Sequence, residues 1–517
     1  MRVYWKGPFY TSTSLAIVNR RLVSALLKRG NLDIAISTDP LAPNSLSPEF
    51  RALAEHTHFG AAEADVTILH EFPPRFAAPA ESRYVHVQPW EFGSIPQAWY
   101  DALHDDCDEI WVHSTYNRHA YLEAGIAPDR VGIVPHGVDP NVFTPDGPEA
   151  ALGDERFRFL FVGATLPRKG IDLLVNAYLA EFTPRDRVAL TIKDASTNEY
   201  RGLTRSVDIQ TLAARPDLAR IEYIDQTVPD EAMAQIYRAA DCFVLPYRGE
   251  GFGMPILEAM ASGLPSIVTD GGASDDFVDA QVGWRIPSAR VDVDPAIIPF
   301  PTVTPPWIRE PDKVALQQLL REAFESHEEV RRRGAAAARR ARADWTWDHA
   351  AARVERRLET LSQRDPVLAR ARQDRYRDSA LYAEQAFGTT ALDGIVVELF
   401  RRIGAGSAFF VEVTRGGFSV APALARGLSW KGILLGETDA EALAGPPDEI
   451  DLLSLACSNA ESVTRRLASY RPRVIVSATP IDLAGYARID VAVPVSLFVR
   501  SDLAARAGFT LREPARS

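Results

Sequence analysis

Features of secreted, membrane-spanning and nucleic-acid-binding proteins are scarce in this sequence of 517 residues. Its three cysteines, Cys107, Cys242 and Cys457, are too far apart to form a zinc motif, and we interpret them as core residues in a reducing compartment. No run approaches the roughly 18 apolar residues of a membrane-spanning helix, and the first ten residues lack the apolar stretch of a signal peptide. A net charge of −12 argues against a broad surface for nucleic acid. We therefore expect a cytoplasmic protein.

Alternating strand and helix patterns fill most of the chain and predict parallel α/β sheets. One series of patterns begins at RVYWKG and a second at FRFLFVGAT, and each predicts a doubly wound domain. We place these domains at residues 1–145 and 146–362, and a third α/β region at 366–517, which agrees with a chain of this length. The proline-rich stretch 286–312 shows little periodicity, so we predict an irregular insertion there.

Two glutamates flank a glycine-rich turn in the stretch YRGEGFGMPILEAMASGLP, residues 247–265. CFVLP before it predicts a buried strand, and PILEAMASG predicts a helix that begins with proline and ends before glycine. Gly251 and Gly253 then lie in a turn where a ligand can approach the N–H groups at the start of the helix.

The same turn predicts the chemistry of its ligand. Glu250 and Glu258 would repel a bare phosphate, but each carboxylate can accept hydrogen bonds from hydroxyl groups. The pattern therefore favours a ligand with phosphate between two hydroxylated parts, which describes a nucleotide diphospho-sugar. The simpler alternative is that Glu258 only complements the helix dipole and that Glu250 is solvated.

The stretch EGFGMPILEAMASGLPSIVTDGGASDDFV resembles the signature of family 4 glycosyltransferases with the GT-B fold. FLFVGATLPRKGIDLLVNAY and NRHAYLEAGIAPDRVGIVPHGVDPNVF extend the resemblance over about residues 1–362. It implies two facing Rossmann-like domains, and a retaining sugar transfer that needs neither metal nor cofactor. The donor-binding residues that it implies are Arg168, Lys169, Glu250, Gly251, Phe252, Gly253, Met254 and Glu258. Of these, Arg168, Lys169 and Glu250 would act in catalysis.

The cations implied for the donor diphosphate, Arg168 and Lys169, directly precede Gly170 and the predicted helix IDLLVNAY. A solvated basic turn is the alternative interpretation. The sequence departs from the family just before this point, because the family often has an arginine after the strand glycine, and Ala164 follows Gly163 here. Arg168 must then supply more of the positive charge, or the pocket differs.

On the first domain, Gly7, Trp90 and Glu91 are the predicted acceptor-binding residues. The family places the loop after the first strand in the cleft between domains, and WEFGSIPQAW is similar to polysaccharide-building members. The face of a tryptophan can stack on a sugar, and a carboxylate can bind sugar hydroxyls. A core tryptophan beside a surface glutamate is the alternative.

Several other chemistry-bearing residues are assigned no role. His86 comes two residues earlier than the histidine that the family often has at the end of this strand, and alternation places it on the same face as Gln88. The Asp292–Asp294 stretch is interpreted as solvated loop, not as a metal motif. Turn or core positions are predicted for three further histidines, His113, His119 and His136.

Residues 382–480 resemble FkbM-type methyltransferases, for example in GSAFFVEVT and IDLLSLACSNAESVTRRLASYRPRVIVSATP, and the resemblance implies a Rossmann-like sheet. Positions at which that family binds S-adenosylmethionine are occupied here by Thr414, Gly436, Ala456 and Ser458. Arg415 and Glu437 could compensate in part, so some ligand binding stays open. We predict a degenerate domain that does not bind S-adenosylmethionine and that serves packing, homo-oligomer formation or partner binding.

These observations predict a retaining glycosyltransferase that moves a sugar from a nucleotide diphospho-sugar to a glycan or glycoconjugate acceptor, in the synthesis of a bacterial surface polysaccharide. A peripheral contact with the inner face of a membrane is left open. Two alternatives remain. One is a bifunctional glycosyltransferase–methyltransferase. The other is a non-catalytic scaffold that binds sugar nucleotides, against which the intact Glu250, Glu258 and Lys169 argue.

Overall fold

Three six-stranded sheets form the framework of the computed structural model. The structure describes residues 1–11, 13–37, 48–72, 74, 76, 82–194, 208–293, 301–364 and 366. In the C-terminal region it describes residues 395–396, 399–400, 403, 407–414, 430–436, 450–458, 460–479, 481, 483–489, 491 and 495–507.

The first domain is a parallel sheet whose strands are mostly buried, as expected for a sheet covered on both faces. Its strands are β1 (Arg2–Lys6), β2 (Asp33–Ile36), β3 (Val66–Leu69), β4 (Arg83–Val87), β5 (Glu109–Val112) and β6 (Val131–Ile133). They are ordered β2-β1-β3-β4-β5-β6. Its helices are α1 (Ser14–Arg29), α2 (Pro48–Ala52), α3 (Gln97–Asp105) and α4 (Thr115–Glu123). Thr13 caps α1 by accepting a hydrogen bond from the backbone N–H of Ala16.

The second domain repeats this design around its own parallel sheet. Its strands are β7 (Phe157–Val162), β8 (Val188–Lys193), β9 (Arg220–Ile224), β10 (Cys242–Leu245), β11 (Ser266–Thr269) and β12 (Gly283–Ile286), ordered β12-β11-β10-β7-β8-β9. The helices between them are α5 (Ile171–Glu181), α6 (Ile209–Ala213), α7 (Asp230–Arg238) and α8 (Met254–Ala261). The prediction of two Rossmann-like domains is therefore confirmed, although the sequence did not single out the edge strand β12.

The prediction of an irregular insertion at 286–312 is wrong for part of that stretch. Strands β13 (Ser288–Asp292) and β14 (Trp307–Pro311) pair as an antiparallel hairpin through five residues each. Neither strand shows a clean alternation of apolar and polar residues. The hairpin is held by partners on other elements as well as by its own pairing. Prolines 301, 305 and 306 lie in the connection and not within the strands.

Helix α11 (Trp347–Ser362) returns to the first domain, although it follows the second domain in sequence. It comes after α9 (Lys313–Glu325) and α10 (His327–Asp344), which pack on the second domain. The apolar face of α11, with Trp347, Val354 and Leu358, is buried in the same core as Trp5 and Leu22. The core of the first domain is therefore completed by residues about 200 positions beyond the end of its sheet.

The C-terminal region has a mixed sheet in the part that the structure describes. Its strands are β15 (Phe409–Thr414), β16 (Lys431–Gly436), β17 (Leu452–Ala456), β18 (Val474–Ser477), β19 (Tyr486–Ile489) and β20 (Ser496–Arg500), ordered β16-β15-β17-β18-β20-β19. Strand β20 is antiparallel to both neighbours, whereas the first four strands of that order are parallel. The described helices are α12 (Ala460–Leu467) and α13 (Ala504–Ala507).

Among all these described helices, none has the length and apolar character needed to cross a membrane.

Candidate functional site

The carboxyl ends of the first two sheets face each other across a cleft. Ser114, which follows β5, donates a hydrogen bond from its hydroxyl to the Gly251 carbonyl in the loop after β10, at 2.8 Å. Parallel α/β sheets bind ligands at the carboxyl ends of their strands. The cleft therefore brings two such edges together.

The turn between β10 and α8 has the conformation that the sequence predicts. Gly253 has a φ of 94°, a left-handed value that favours glycine, and it directly precedes α8. The N-terminal N–H groups of α8 are thus presented at the turn, as an anion-binding helix start requires. Phe252, in contrast, is 2% exposed, and its ring packs against Phe277, Trp345 and His136. Only the backbone of Phe252 is therefore available to a ligand in the turn.

Lys169 and Glu250 form a largely buried ion pair, with side chains 12% and 11% exposed. Lys169 ends a short helical turn, Pro167–Lys169, that follows β7, so both partners lie at the carboxyl edge of the second sheet. Burial alone would raise the pKa of Glu250, but the positive charges of Lys169 and Arg168 outweigh it and hold that pKa below its ordinary value. The predicted cation and the predicted carboxylate are therefore in direct contact.

Arg168 connects the two domains. Its guanidinium lies 3.1 Å from the Glu91 carboxylate of the first domain and 3.9 Å from Glu250, and it donates to the Gly249 carbonyl at 3.2 Å. Four predicted site residues, Glu91, Arg168, Lys169 and Glu250, therefore form one cluster of two cations and two carboxylates. A diphosphate that enters this cluster can compete with the carboxylates for the cations.

Glu258 lies on α8, away from this cluster. Its carboxyl accepts a hydrogen bond from the Tyr237 hydroxyl of α7 at 2.9 Å. Burial, with a smaller contribution from the nearby Asp230 carboxylate, raises the pKa of Glu258 to about 8, although the Tyr237 hydrogen bond and the Arg21 charge oppose this shift. Arg21 from α1 pairs with Asp230 at 2.5 Å and with Asp139 at 3.1 Å, so its charge is shared with other carboxylates. The Glu258 carboxyl is therefore mostly protonated at pH 7.

The predicted acceptor residues have different surroundings. Glu91 is in the cluster, and Gly7 follows β1 at a point where a Cβ would collide with the His70 carbonyl oxygen. Trp90 is 5% exposed, and its indole N–H donates to the Ser94 carbonyl at 2.6 Å. Because its ring packs against Phe92 and Trp99, it is a core tryptophan, and the structure does not support its stacking on a sugar.

A row of three histidines, which the sequence analysis did not connect, lies on the first-domain side of the cleft; His70 and His113 are buried and His136 is half-buried. His70 follows β3, His113 follows β5 and His136 follows β6. The ring centroids of His70 and His113 are 5.7 Å apart, and those of His113 and His136 are 4.1 Å apart. Burial lowers the pKa of His113 to about 4, so its imidazole is neutral. The sequence carried a signal, since each histidine lies at or near the end of a strand-like stretch, DVTILH, EIWVHS or VGIVPHG.

Some ring nitrogens of these histidines have no hydrogen-bond partner within the described part of the chain. These are Nε2 of His70 and both ring nitrogens of His136. His70 Nδ1 is 2.7 Å from the Asn19 side-chain oxygen, which fixes that ring. A ligand rich in hydroxyl groups can satisfy nitrogens of this kind.

Other candidate positions are less informative. Asp292 is exposed on β13, and Asp294 lies outside the described residues. Nowhere in the described residues do three His, Cys, Asp or Glu side chains converge to hold a metal ion. A cavity of about 610 Å³ lies beside α10 and α11, away from the cluster. Both carboxylates and guanidinium groups line it. The cluster is the stronger candidate site, since its charges converge from both domains around a largely buried Lys169–Glu250 pair.

Part of the chain is similar to known proteins. Residues 156–293 match the family model described as glycosyl transferases group 1. The chain is 34% identical over 196 residues to D-inositol 3-phosphate glycosyltransferase of Mycobacteroides abscessus, a match that covers 36% of this chain and 43% of that protein. It is 31% identical over 179 residues to mannosylfructose-phosphate synthase of Agrobacterium fabrum, covering 32% and 38%. The chain thus spans about two fifths of the length of these curated relatives.

Solved structures show the same fold at lower identity. Sucrose-phosphate synthase from Thermosynechococcus elongatus has a TM-score of 0.50 and 18% identity, covering 70% of this chain and 99% of that one. Anabaena HepE, in complex with UDP and glucose, has a TM-score of 0.50 and 15% identity over the same shares. Residues 156–293 are therefore similar to glycosyl transferases group 1, within a two-domain fold that the chain shares with these solved structures.

Proposed function

We propose that the protein is a retaining glycosyltransferase that moves a sugar from a nucleotide diphospho-sugar to a glycan or glycoconjugate acceptor. The observation that carries the proposal is the cluster of Arg168, Lys169, Glu250 and Glu91 near the start of α8, in which the Lys169–Glu250 pair is largely buried. A ligand with a diphosphate between two hydroxylated parts matches two cations with carboxylates on either side. The complex of HepE with UDP and glucose supports such a donor.

The proposed mechanism uses the cluster as a charge-stabilising site. When a donor binds, its diphosphate replaces Glu91 and Glu250 as the partner of Arg168 and Lys169. The released Glu250 then accepts hydrogen bonds from the sugar, and Glu258 accepts them from the ribose. As the bond between sugar and diphosphate breaks, the two cations and the start of α8 stabilise the charge on the departing diphosphate. The closed cleft orients the acceptor hydroxyl.

A screen of nucleotides and nucleotide sugars tests the proposal directly. Thermal stabilisation of the full chain by a nucleoside diphosphate, together with hydrolysis or transfer from one nucleotide sugar, is the expected result, since ligands of the folded state raise its stability. Because side chains neutralise the diphosphate, transfer is expected to persist in EDTA. A panel without stabilisation or turnover would overturn the proposal, and full dependence on added manganese would overturn the metal-independent mechanism. The proposal also includes a role in bacterial surface polysaccharide synthesis and a peripheral contact with a membrane. Identification of the natural acceptor would test both.

Nucleotide binding should depend on pH through Glu258. Its pKa of about 8 means that ribose binding requires the loss of a proton below that pH. Affinity for a nucleoside diphosphate should therefore rise by up to about tenfold per unit between about pH 6.5 and 8, and level off above this range. Calorimetry of wild type and Glu258→Gln checks this, because the variant cannot titrate and should lose most of the slope. An equal slope in both proteins would contradict the assignment.

For the C-terminal region we propose a degenerate methyltransferase-like domain used in packing or homo-oligomer formation. Thr414 ends β15, Gly436 ends β16 and Ala456 ends β17, and these three residues are in register at one edge of the sheet. Their side chains offer no carboxylate for a ribose. Arg415 and Glu437 lie outside the described residues.

No binding of S-adenosylmethionine is therefore expected. Titration of S-adenosylmethionine into the full chain by calorimetry should give no saturable heat, whereas the nucleoside diphosphate identified in the screen should do so in the same sample. Saturable binding at micromolar concentration would favour the bifunctional glycosyltransferase–methyltransferase instead.

A further inference from the structure

The hairpin of β13 and β14 extends from the second domain and docks on the first. We call β13, β14 and the connecting residues 301–306 the bridging hairpin. At its first-domain end, Trp307 is 3% exposed, and its indole N–H donates to Glu123 of α4 at 3.2 Å. Arg290 covers the ring at 4.1 Å and pairs with Glu123 at 3.1 Å. A Cβ at Gly93 would collide with this ring, so Gly93 makes room for the docked tryptophan.

The same end is bonded to the loop that carries Glu91. The Gly93 N–H donates to the Trp307 carbonyl at 2.8 Å, and the Val303 N–H donates to the Ile95 carbonyl at 3.0 Å. The Gln97 N–H donates to the Pro301 carbonyl at 2.8 Å, and the Thr304 hydroxyl lies 2.9 Å from the Ser94 hydroxyl. The hairpin therefore holds loop 91–97 largely by main-chain hydrogen bonds, one of which ends on Trp307 itself.

The opposite end of β14 holds the donor cations. Glu310 pairs with Arg248 at 2.6 Å, and Arg248 also forms a bidentate pair with Asp172 of α5 at 2.8 and 2.9 Å. The Arg248 guanidinium donates to the Pro167 carbonyl at 2.6 Å, and its backbone N–H donates to the Arg168 carbonyl at 2.7 Å. Arg248 thus fixes the turn that presents Arg168 and Lys169.

These contacts form a closed circuit around the cluster. The loop that carries Glu91 is bonded to Trp307, and β14 leads from Trp307 to Glu310. Glu310 pairs with Arg248, which holds the turn at Arg168. The Arg168 guanidinium then returns to the Glu91 carboxylate at 3.1 Å. We infer that the bridging hairpin is a positioning element that stays docked on both domains during turnover and fixes Glu91 relative to the donor cations. Trp307 and Arg248 are its positioning residues. The inference rests on the proposed function for its catalytic meaning.

Hydrogen–deuterium exchange tests the circuit without any ligand. Trp307→Ala should speed amide exchange at least tenfold both in residues 91–97 and in residues 166–170, although the second segment lies in the other domain. Trp284→Ala is a matched control, because Trp284 is equally buried, donates to Glu322 and lies under Arg333, yet belongs to β12. This control should leave both segments unchanged. Faster exchange confined to residues 91–97 would overturn the inference.

Kinetics then separate positioning from simple stability. With the nucleotide sugar selected by the screen, for which UDP-glucose is the first probe, Trp307→Ala should lower kcat at least tenfold and change the Kd of the nucleoside diphosphate less than threefold. Trp284→Ala should keep kcat within twofold of wild type at a temperature where both variants are folded. Equal kcat in the two variants would overturn the inference. An inactive wild type would instead overturn the proposed function and leave the exchange result to decide on the hairpin.

A disulfide across the docked end provides a second variant that keeps the native contacts. Ser94→Cys combined with Thr304→Cys replaces two hydroxyl groups 2.9 Å apart. If the hairpin stays docked during turnover, the oxidised protein should keep at least half of the kcat that it shows after reduction with dithiothreitol. A tenfold loss on oxidation that dithiothreitol restores would show that the hairpin must release, and would overturn the inference.

Discussion

Replacement of Lys169 by alanine is expected to lower kcat for glycosyl transfer by about 10²- to 10³-fold, the usual cost of removing one preorganised group that stabilises developing charge. Lys169 is largely buried beside Glu250, so water replaces its charge poorly. The loss should appear in kcat as well as in donor binding, because negative charge grows on the diphosphate as the sugar departs. Steady-state kinetics with the donor from the screen measure both parameters.

Stability must be separated from catalysis in this variant. Lys169→Ala leaves the Glu250 carboxylate buried without its nearest cation, and breaking a buried pair in this way costs about 3–5 kcal/mol. The double variant Lys169→Met with Glu250→Gln removes both charges and should recover most of the melting temperature without recovering kcat. A kcat within tenfold of wild type for Lys169→Ala would contradict the assigned role.

The second large effect is a division of labour between the two glutamates. Above pH 8, where the Glu258 carboxylate is ionised, Glu258→Ala should weaken binding of the nucleoside diphosphate by about 10- to 100-fold, since a charged acceptor of hydrogen bonds contributes roughly 1.5–3 kcal/mol. Glu250→Ala should lower turnover by a similar factor and leave that affinity unchanged or higher. The structure provides the reason for the second expectation, because Glu250 is the residue that occupies Lys169 before a diphosphate arrives.

Calorimetry with the nucleoside diphosphate, paired with kinetics on the full donor, measures both arms of this comparison. Tyr237→Phe is the matched control for Glu258, since it removes the hydroxyl that contacts Glu258 and keeps the carboxyl. This variant should retain nucleotide affinity within about threefold. An equal loss of affinity in Glu258→Ala and Glu250→Ala would reject the division.

The sequence predicted the second-domain part of the cluster because its determinants are local. Glu250 and Gly253 lie within one strand–turn–helix unit, which hydrophobic patterning and glycine positions were sufficient to place. Lys169 follows the neighbouring strand, and its role at a donor diphosphate came from the family resemblance. The electrostatic state could not be predicted in the same way. Glu250 and Glu258 are the same residue type eight positions apart, yet neighbouring cations lower the first pKa and burial raises the second.

Features that depend on contacts between distant segments escaped prediction. Trp90 has the sequence context of a sugar-binding residue, but whether its ring faces the cleft or the core depends on Phe92, Trp99 and the docked hairpin. The hairpin itself looked irregular, because much of what holds it lies in the first domain, around Glu123 and Gly93. A single sequence gives no pairing information over separations of this size.

The return of α11 to the first domain also sets an order for folding during synthesis. Trp347, Val354, Leu358 and Leu361 complete the core around β1 and α1, so the nascent first domain lacks part of its apolar packing until these residues have left the ribosome. Chains usually fold domain by domain from the N-terminus as they are made. Here the whole sheet of the second domain is synthesised before α11. The first domain, although it is synthesised earliest, therefore reaches its final packing only after the second domain can form.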